Sequence, residues 1–339
     1  MPVPLSIQIA VAGEALIDLI QTPGGSYLPC PGGAPYNLCR ALARQGVGTL
    51  YLNPLSRDRW GRELAATMEG DGVQLARPDP VQEVTSLAVV NLTPQGQPDY
   101  AFYREGVADR MVDAAGLTQA CAQHAGLRLV CTGALALGAR DAGIYLPWLR
   151  GQRAAGRCVV VDVNLRPFVM PDLPAYRAHV RAVLAQADVI KVSDEDLEHL
   201  AMPGANPLER ARHLMDTAPH THWLVLTLGG AGAWLLHREG GAYFAREAQP
   251  LAVVDTVGAG DSFLAGLLAH LLHQAQAASG ASLGAFLAGL AGEPCRQALR
   301  HALASASLCV QQQGCVPPGW QAAQDWANAH PAQMSTSAG

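Results

Sequence analysis

Asp255-Thr256-Val257-Gly258-Ala259-Gly260-Asp261 runs directly into the apolar stretch SFLAGLLAHLL at 262–272, and how this junction is read decides the fold. The apolar run predicts a buried helix, and the small residues before it let the backbone turn sharply. Successive N–H groups then point outward at a helix N-terminus, where the partial positive charge and unpaired donors favour a phosphate. Asp261 stands where those donors converge and can accept a proton from an incoming hydroxyl. A helix cap is the plainer role for such an acid. A cap alone does not call for three consecutive small residues between Val257 and Asp261.

Upstream, Pro31-Gly32-Gly33-Ala34-Pro35-Tyr36-Asn37 opens the first long helical pattern. Paired glycines permit close approach to a ligand, and Asn37 offers both donor and acceptor, as a sugar hydroxyl requires. In Gly13-Glu14-Ala15-Leu16-Ile17-Asp18 an acid leaves the end of the first strand, the edge where open α/β sheets bind ligands. Asp18 could accept from two hydroxyls; Glu14 reads as structural. Asp162-Val163-Asn164-Leu165-Arg166 and Lys191-Val192-Ser193-Asp194-Glu195-Asp196 each end an apolar run. Their charges suit phosphate oxygens and hydrated Mg²⁺; the acids suit a helix N-terminus equally well. Thr227-Leu228-Gly229-Gly230-Ala231-Gly232 is either a turn passing beneath a nucleotide phosphate or a plain hairpin turn.

Around these motifs, β-branched runs at 7–12, 49–52, 128–131, 158–163, 189–192 and 223–228 alternate with helical patterns at 36–44, 62–68, 142–154, 175–186 and 208–218. That alternation predicts a mostly parallel sheet covered by helices on both faces. Beyond 262 the pattern is helical, at 262–272, 284–290 and 294–311. Segments 18–31 and 84–112 interrupt the alternation; the latter holds two strands around the polar turn TPQGQP. A hairpin between crossover units joins a parallel sheet poorly, so these segments are expected to form a small β-lid, the alternative being an edge hairpin. One domain over 1–327 is expected, with a mobile tail at 328–339.

The 339 residues are 50% hydrophobic and 15% charged, with net charge −5 and a single lysine, Lys191. No basic run favours nucleic acid and no 18-residue apolar stretch favours a membrane span. The start MPVPLSIQIA lacks the pattern of a signal peptide. Eight scattered cysteines read as reduced thiols, and the eleven histidines show no H-x-x-x-H spacing; the closest candidates for a metal pair, His220 and His222, read as plain surface or edge residues. A cytoplasmic protein is expected. No G-x-x-x-x-G-K-[ST] is present, so phosphate handling must rest on backbone donors, arginines and Mg²⁺. The first strand leads into GEALID rather than G-x-G-x-x-G, which argues against a nicotinamide dehydrogenase.

The order GEALID, GGAPYN, DVNLR, KVSDED, TLGGAG, DTVGAGD resembles the ribokinase family of sugar kinases over nearly the whole chain. GEALIDL, PGGAPYN, FYREGVADRM and KVSDEDL look most like its bacterial fructokinases. The resemblance implies a ribokinase-like three-layer α/β sandwich with a β-lid, and ATP-dependent phosphorylation of a terminal sugar hydroxyl. It implies Asp261 as base, with Gly258, Ala259 and Gly260 as anion hole. It implies sugar contacts at Asp18, Gly32, Gly33 and Asn37, and places Arg104 and Arg166 near the sugar or the transferring phosphate. It puts Thr227, Gly229, Gly232, Lys191 and Asn164 at the ATP site, Asp196 on Mg²⁺ through water, and Asp255 on a monovalent cation such as K⁺. A homodimer through the lid is also implied. Asp196 departs from the family's usual Glu and Cys39 from a small residue. 2-Keto-3-deoxygluconate is the rival substrate, and a catalytically silent sugar- or nucleotide-binding regulator the rival class.

Overall fold

Strand residues alternate between two separate cores, which explains why the strands read as continuous apolar runs. Ile9 and Val11 face one core and Ala10 and Ala12 the other; Trp223 and Val225 oppose Leu224 and Leu226 in the same way. A sheet buried on both faces requires this. The computed structural model describes residues 5–22, 24–92, 98–239, 241–277 and 282–337. Its strands are β1 (Ile9–Val11), β2 (Leu16–Gln21), β3 (Tyr27–Gly32), β4 (Thr49–Tyr51), β5 (Gln74–Leu75), β6 (Ser86–Leu92), β7 (Pro98–Tyr103), β8 (Leu129–Gly133), β9 (Cys158–Asp162), β10 (Val189–Ser193), β11 (Trp223–Thr227), β12 (Ala233–His237), β13 (Gly241–Arg246) and β14 (Gln333–Ser337).

The main sheet has the order β14-β13-β12-β11-β10-β9-β8-β1-β4-β5. From β5 to β11 every pairing is parallel, and β12, β13 and β14 continue it antiparallel. The chain leaves β1 for β4 on one side and later fills β8 to β11 on the other. This switch point opens a crevice at the carboxyl ends of β1 and β8. Helices Ala34–Arg44, Ala259–Ala277 and Glu293–Cys309 cover one face. Helices Ala142–Ala154, Leu173–Leu184 and Pro207–Thr217 cover the other. Burial of Phe263, Leu264, Leu267, Leu268 and Leu271 fixes helix Ala259–Ala277, each side chain contributing roughly 1.5–3 kcal/mol. Gly266 lets this helix close on the next, since a Cβ there would come within 2.4 Å of Ser305 Oγ.

A second sheet, β3-β2-β6-β7, is built from β2 paired parallel to β6 and flanked by two antiparallel strands. The hairpin therefore pairs with β2 and not with an edge of the main sheet. Residues 107–110 return to the main body, where Asp109 O accepts from Asn53 Nδ2 at 2.7 Å. The turn at 93–97 lies outside the described residues.

The expectation of a mobile tail at 328–339 is corrected for 328–337; residues 338 and 339 lie outside the described residues. Helix Trp320–Ala329 packs against Glu293–Cys309, and β14 pairs with β13 from Gln333 to Ser337. Backbone hydrogen bonding to an open sheet edge needs no apolar side chains, so composition alone misleads here.

Candidate active site

Asp162 ends β9 and Lys191 lies near the end of β10, opposite each other in register. Both point to the face covered by helix Ala259–Ala277, because Val160 and Val189 two residues earlier belong to that core. Lys191 Nζ donates to Asp162 Oδ1 at 2.8 Å, and both groups are buried. Asp261, in the first turn of the helix, is 7% exposed and accepts from Asn37 Nδ2 at 2.9 Å. Asn37 Oδ1 is buried without a partner.

Burial, reinforced by Asp162, pushes the Asp261 carboxyl up to about 7, against the pull of Lys191, the Asn37 bond and Arg166. Burial likewise raises Asp18 to about 6 against the attraction of Arg166. A carboxylate poised near neutrality suits a general base. In the turn before it, Gly258 has φ 74 and Val257 N is held by Asp255 Oδ1 at 3.0 Å. Ala259 donates to Thr256 O at 3.3 Å and Ser262 to Gly258 O at 2.8 Å. The amides of Gly258, Gly260 and Asp261 meet no acceptor among the described residues. Of the three residues expected to form an anion hole, Gly258 and Gly260 thus keep free amides, whereas the Ala259 amide has an internal acceptor.

Asp18, Asn37, Asp162, Arg166, Lys191 and Asp261 gather here. Gly32 lies against Asp18, whose Oδ2 would be 2.2 Å from a Cβ there, and Gly33 at φ 105 crowds Glu14 O. Among the described residues the Arg166 guanidinium donates through Nη1 alone, to Asn164 Oδ1 at 2.7 Å and to nearby carbonyls, so Asn164 positions an arginine. Thr227 pairs with Ser193 in the sheet, setting the turn Gly229–Ala231 one strand beyond Lys191.

Several expected site residues also have partners within the protein. Lys191, expected at the nucleotide, donates from its ammonium to Asp162. Arg104 ion-pairs with Asp109 at 3.0 Å at the base of the second sheet. Asp196 spends one oxygen on Leu165 N and the other on Ser193 N, at 2.7 and 2.9 Å, completing a capping box. Asp255 holds Val257 N and Gly314 N. Among the described residues no group of three or more His, Cys, Asp or Glu could hold a metal ion.

Sequence reasoning read Glu14 as structural and passed over the pairing of Asp162. Glu14 is buried with Oε2 unpartnered, and burial raises it to about 7. A lone lysine after an apolar strand was the available signal for the pair.

A model of the pfkB family of carbohydrate kinases matches residues 6–322. A fructokinase of Rhizobium leguminosarum bv. trifolii is 33% identical over 267 residues, 78% of this chain and 79% of the relative. A fructokinase of Xylella fastidiosa with bound ATP aligns with TM-score 0.79 and 24% identity, covering 96% of this chain and 99% of that one. Aminoimidazole riboside kinase of Salmonella enterica, solved with aminoimidazole riboside and an ATP analogue, aligns with TM-score 0.74 and 25% identity, covering 94% and 99%.

Proposed function

This chain belongs to the pfkB family of carbohydrate kinases, and we propose from that premise that it transfers the γ-phosphoryl group of ATP to a terminal hydroxyl of fructose. The fold is ribokinase-like and the protein is a sugar kinase. The observation that carries the reading is the buried Asp261 carboxyl, oriented by Asn37 at a helix N-terminus with unpaired amides.

In this reading Asp261 takes the hydroxyl proton as the oxygen attacks the γ-phosphorus, the bond to the ADP oxygen breaks, and the proton later leaves to water. The amides of Gly258, Gly260 and Asp261, with Arg166, face the charge that spreads over the phosphoryl oxygens. Asp18 and Asn37 accept and donate to the other sugar hydroxyls. Thr227, Gly229 and Gly232 border the nucleotide. Closure of the second sheet excludes water that would otherwise consume ATP.

Fructose is favoured over 2-keto-3-deoxygluconate because the Asp18 carboxyl lies beside Gly32 in the cleft while Arg104 is already paired with Asp109. A substrate carboxylate would meet repulsion there. ADP release measured across fructose, 2-keto-3-deoxygluconate, ribose and nucleosides should be fastest with fructose; a preference for the acid overturns the substrate assignment.

Asp261→Asn should lower turnover roughly 10²–10⁴-fold with ATP binding retained. Because burial disfavours ionised Asp261, that variant should also melt no lower than wild type above pH 7. Near wild-type turnover would remove Asp261 from the mechanism and leave the silent regulator as the better reading.

The MgATP substrate and eight unpaired thiols support a cytoplasmic setting. Exposed Tyr27, Leu28, Tyr100 and Tyr103 on the second sheet support a homodimer through it, which light scattering measures. A monovalent-cation site at Asp255 has less behind it, since both of its oxygens already accept amides; activity in potassium against sodium buffer tests it.

A further inference from the structure

Gly260 differs from the glycines of an ordinary turn. It lies within helix Ala259–Ala277, and its φ is not in the left-handed region, so the backbone there would accept any residue. Space is what excludes a side chain: a Cβ on Gly260 would stand 3.0 Å from Lys191 Nζ and 3.6 Å from its Cε. The ammonium leaves a methyl group there less than ordinary van der Waals room, one residue before the base.

Resting on the kinase reading, we propose that Lys191 and Asp162 are positioning residues for the phosphoryl transfer assigned above: a buried ion pair, slotted against Gly260, that sets when Asp261 can accept a proton. Neither needs to touch sugar or nucleotide to do so. The ammonium favours the ionised base, Asp162 opposes it, and their 2.8 Å bond holds the two charges in place relative to each other.

The groups facing Asp261 come from each element packed around it. Asp162 ends β9, Lys191 lies on β10 and Arg166 follows β9; Asn37 approaches from helix Ala34–Arg44, and Cys315 from the segment after the last long core helix. Burial is the largest influence on Asp261, Asp162 the next, and Lys191 the strongest attraction. Lys191 itself is kept charged because Asp162 and Asp261 outweigh the burial that opposes its charge. The arrangement accounts for a single lysine placed inside the protein, where an ammonium is expensive unless paired.

The test uses the full chain and the pH dependence of kcat/KM for sugar. Asp162→Asn frees the ammonium to act on Asp261 alone, and the acid limb should move down by about one pH unit or more. Lys191→Met should move it up by a similar amount, and the double variant should return between the two. A purely structural pair would lower activity without separating the limbs in opposite directions. If Lys191→Met does not accumulate as folded protein, Asp162→Asn decides alone: a downward shift supports the proposal and an unmoved limb overturns it. The difference in melting temperature between proteins with Asp261 and with Asp261→Asn, followed across pH, reads the same ionisation without turnover. Failure of the kinase reading would leave that second readout shifting in both variants, whereas failure of this proposal would leave it still in an active enzyme.

Discussion

Two glycine turns that look alike in sequence use glycine for opposite ends. At Gly229 and Gly230 an added Cβ would meet nothing within 4 Å. At Gly258 it would come within 2.2 Å of Cys315 Sγ, and at Gly260 within 3.0 Å of Lys191 Nζ. At its first two glycines the first turn keeps an approach open on the outside; Gly258 and Gly260 are small because the protein's own atoms fill the space. Gly232, which closes the first turn, is crowded like Gly258, with Ala245 O 2.4 Å from an added Cβ, so the contrast lies between Gly229–Gly230 and Gly258–Gly260.

Gly258→Ala should have the largest effect. It combines a contact of 2.2 Å with a left-handed φ of 74. Overpacking costs about 1–3 kcal/mol and the backbone strain about 1–2 kcal/mol. Thermal melting should fall by several degrees and turnover with it; Cys315→Ala in the same protein should recover part of the stability, because the strain remains. A Gly258→Ala protein that melts like wild type would break the contrast.

Gly260→Ala comes next. The ammonium has to yield by a few tenths of an ångström, so stability should change by no more than about 1 kcal/mol, while the acid limb of kcat/KM moves and turnover drops roughly tenfold. Gly230→Ala should have the smallest effect. Nothing crowds it, and melting should stay within about 0.5 kcal/mol of wild type. Any change should appear as a higher KM for ATP at constant kcat, the mark of a surface that only binds. A stability loss matching that of Gly258→Ala would erase the distinction between the turns.

The same contrast shows what the sequence could disclose. Asp261, its glycines and the helix behind them are consecutive, so turn chemistry and apolar periodicity in one stretch carried the reading. The parallel strands β8 to β11 were equally plain, because two buried faces force unbroken apolar runs. The partner of Lys191 stands 29 residues away, and only the register of β9 against β10 brings them together. Asp196 and Asp255 carried acids in the expected places, but which amides would claim their oxygens depends on loops folded from elsewhere. The strand β14 was hidden for a third reason: its bonds to β13 belong to the backbone, and Gln-Met-Ser-Thr-Ser has no periodicity that announces them.

Lys191 is the one lysine of the chain and is 5% exposed. Acylating reagents that seek lysine amines therefore have one side chain to find, and it lies beneath the cleft. The speed at which that amine is labelled becomes a clock for how often the cleft opens, and ligands that hold it shut should slow the clock.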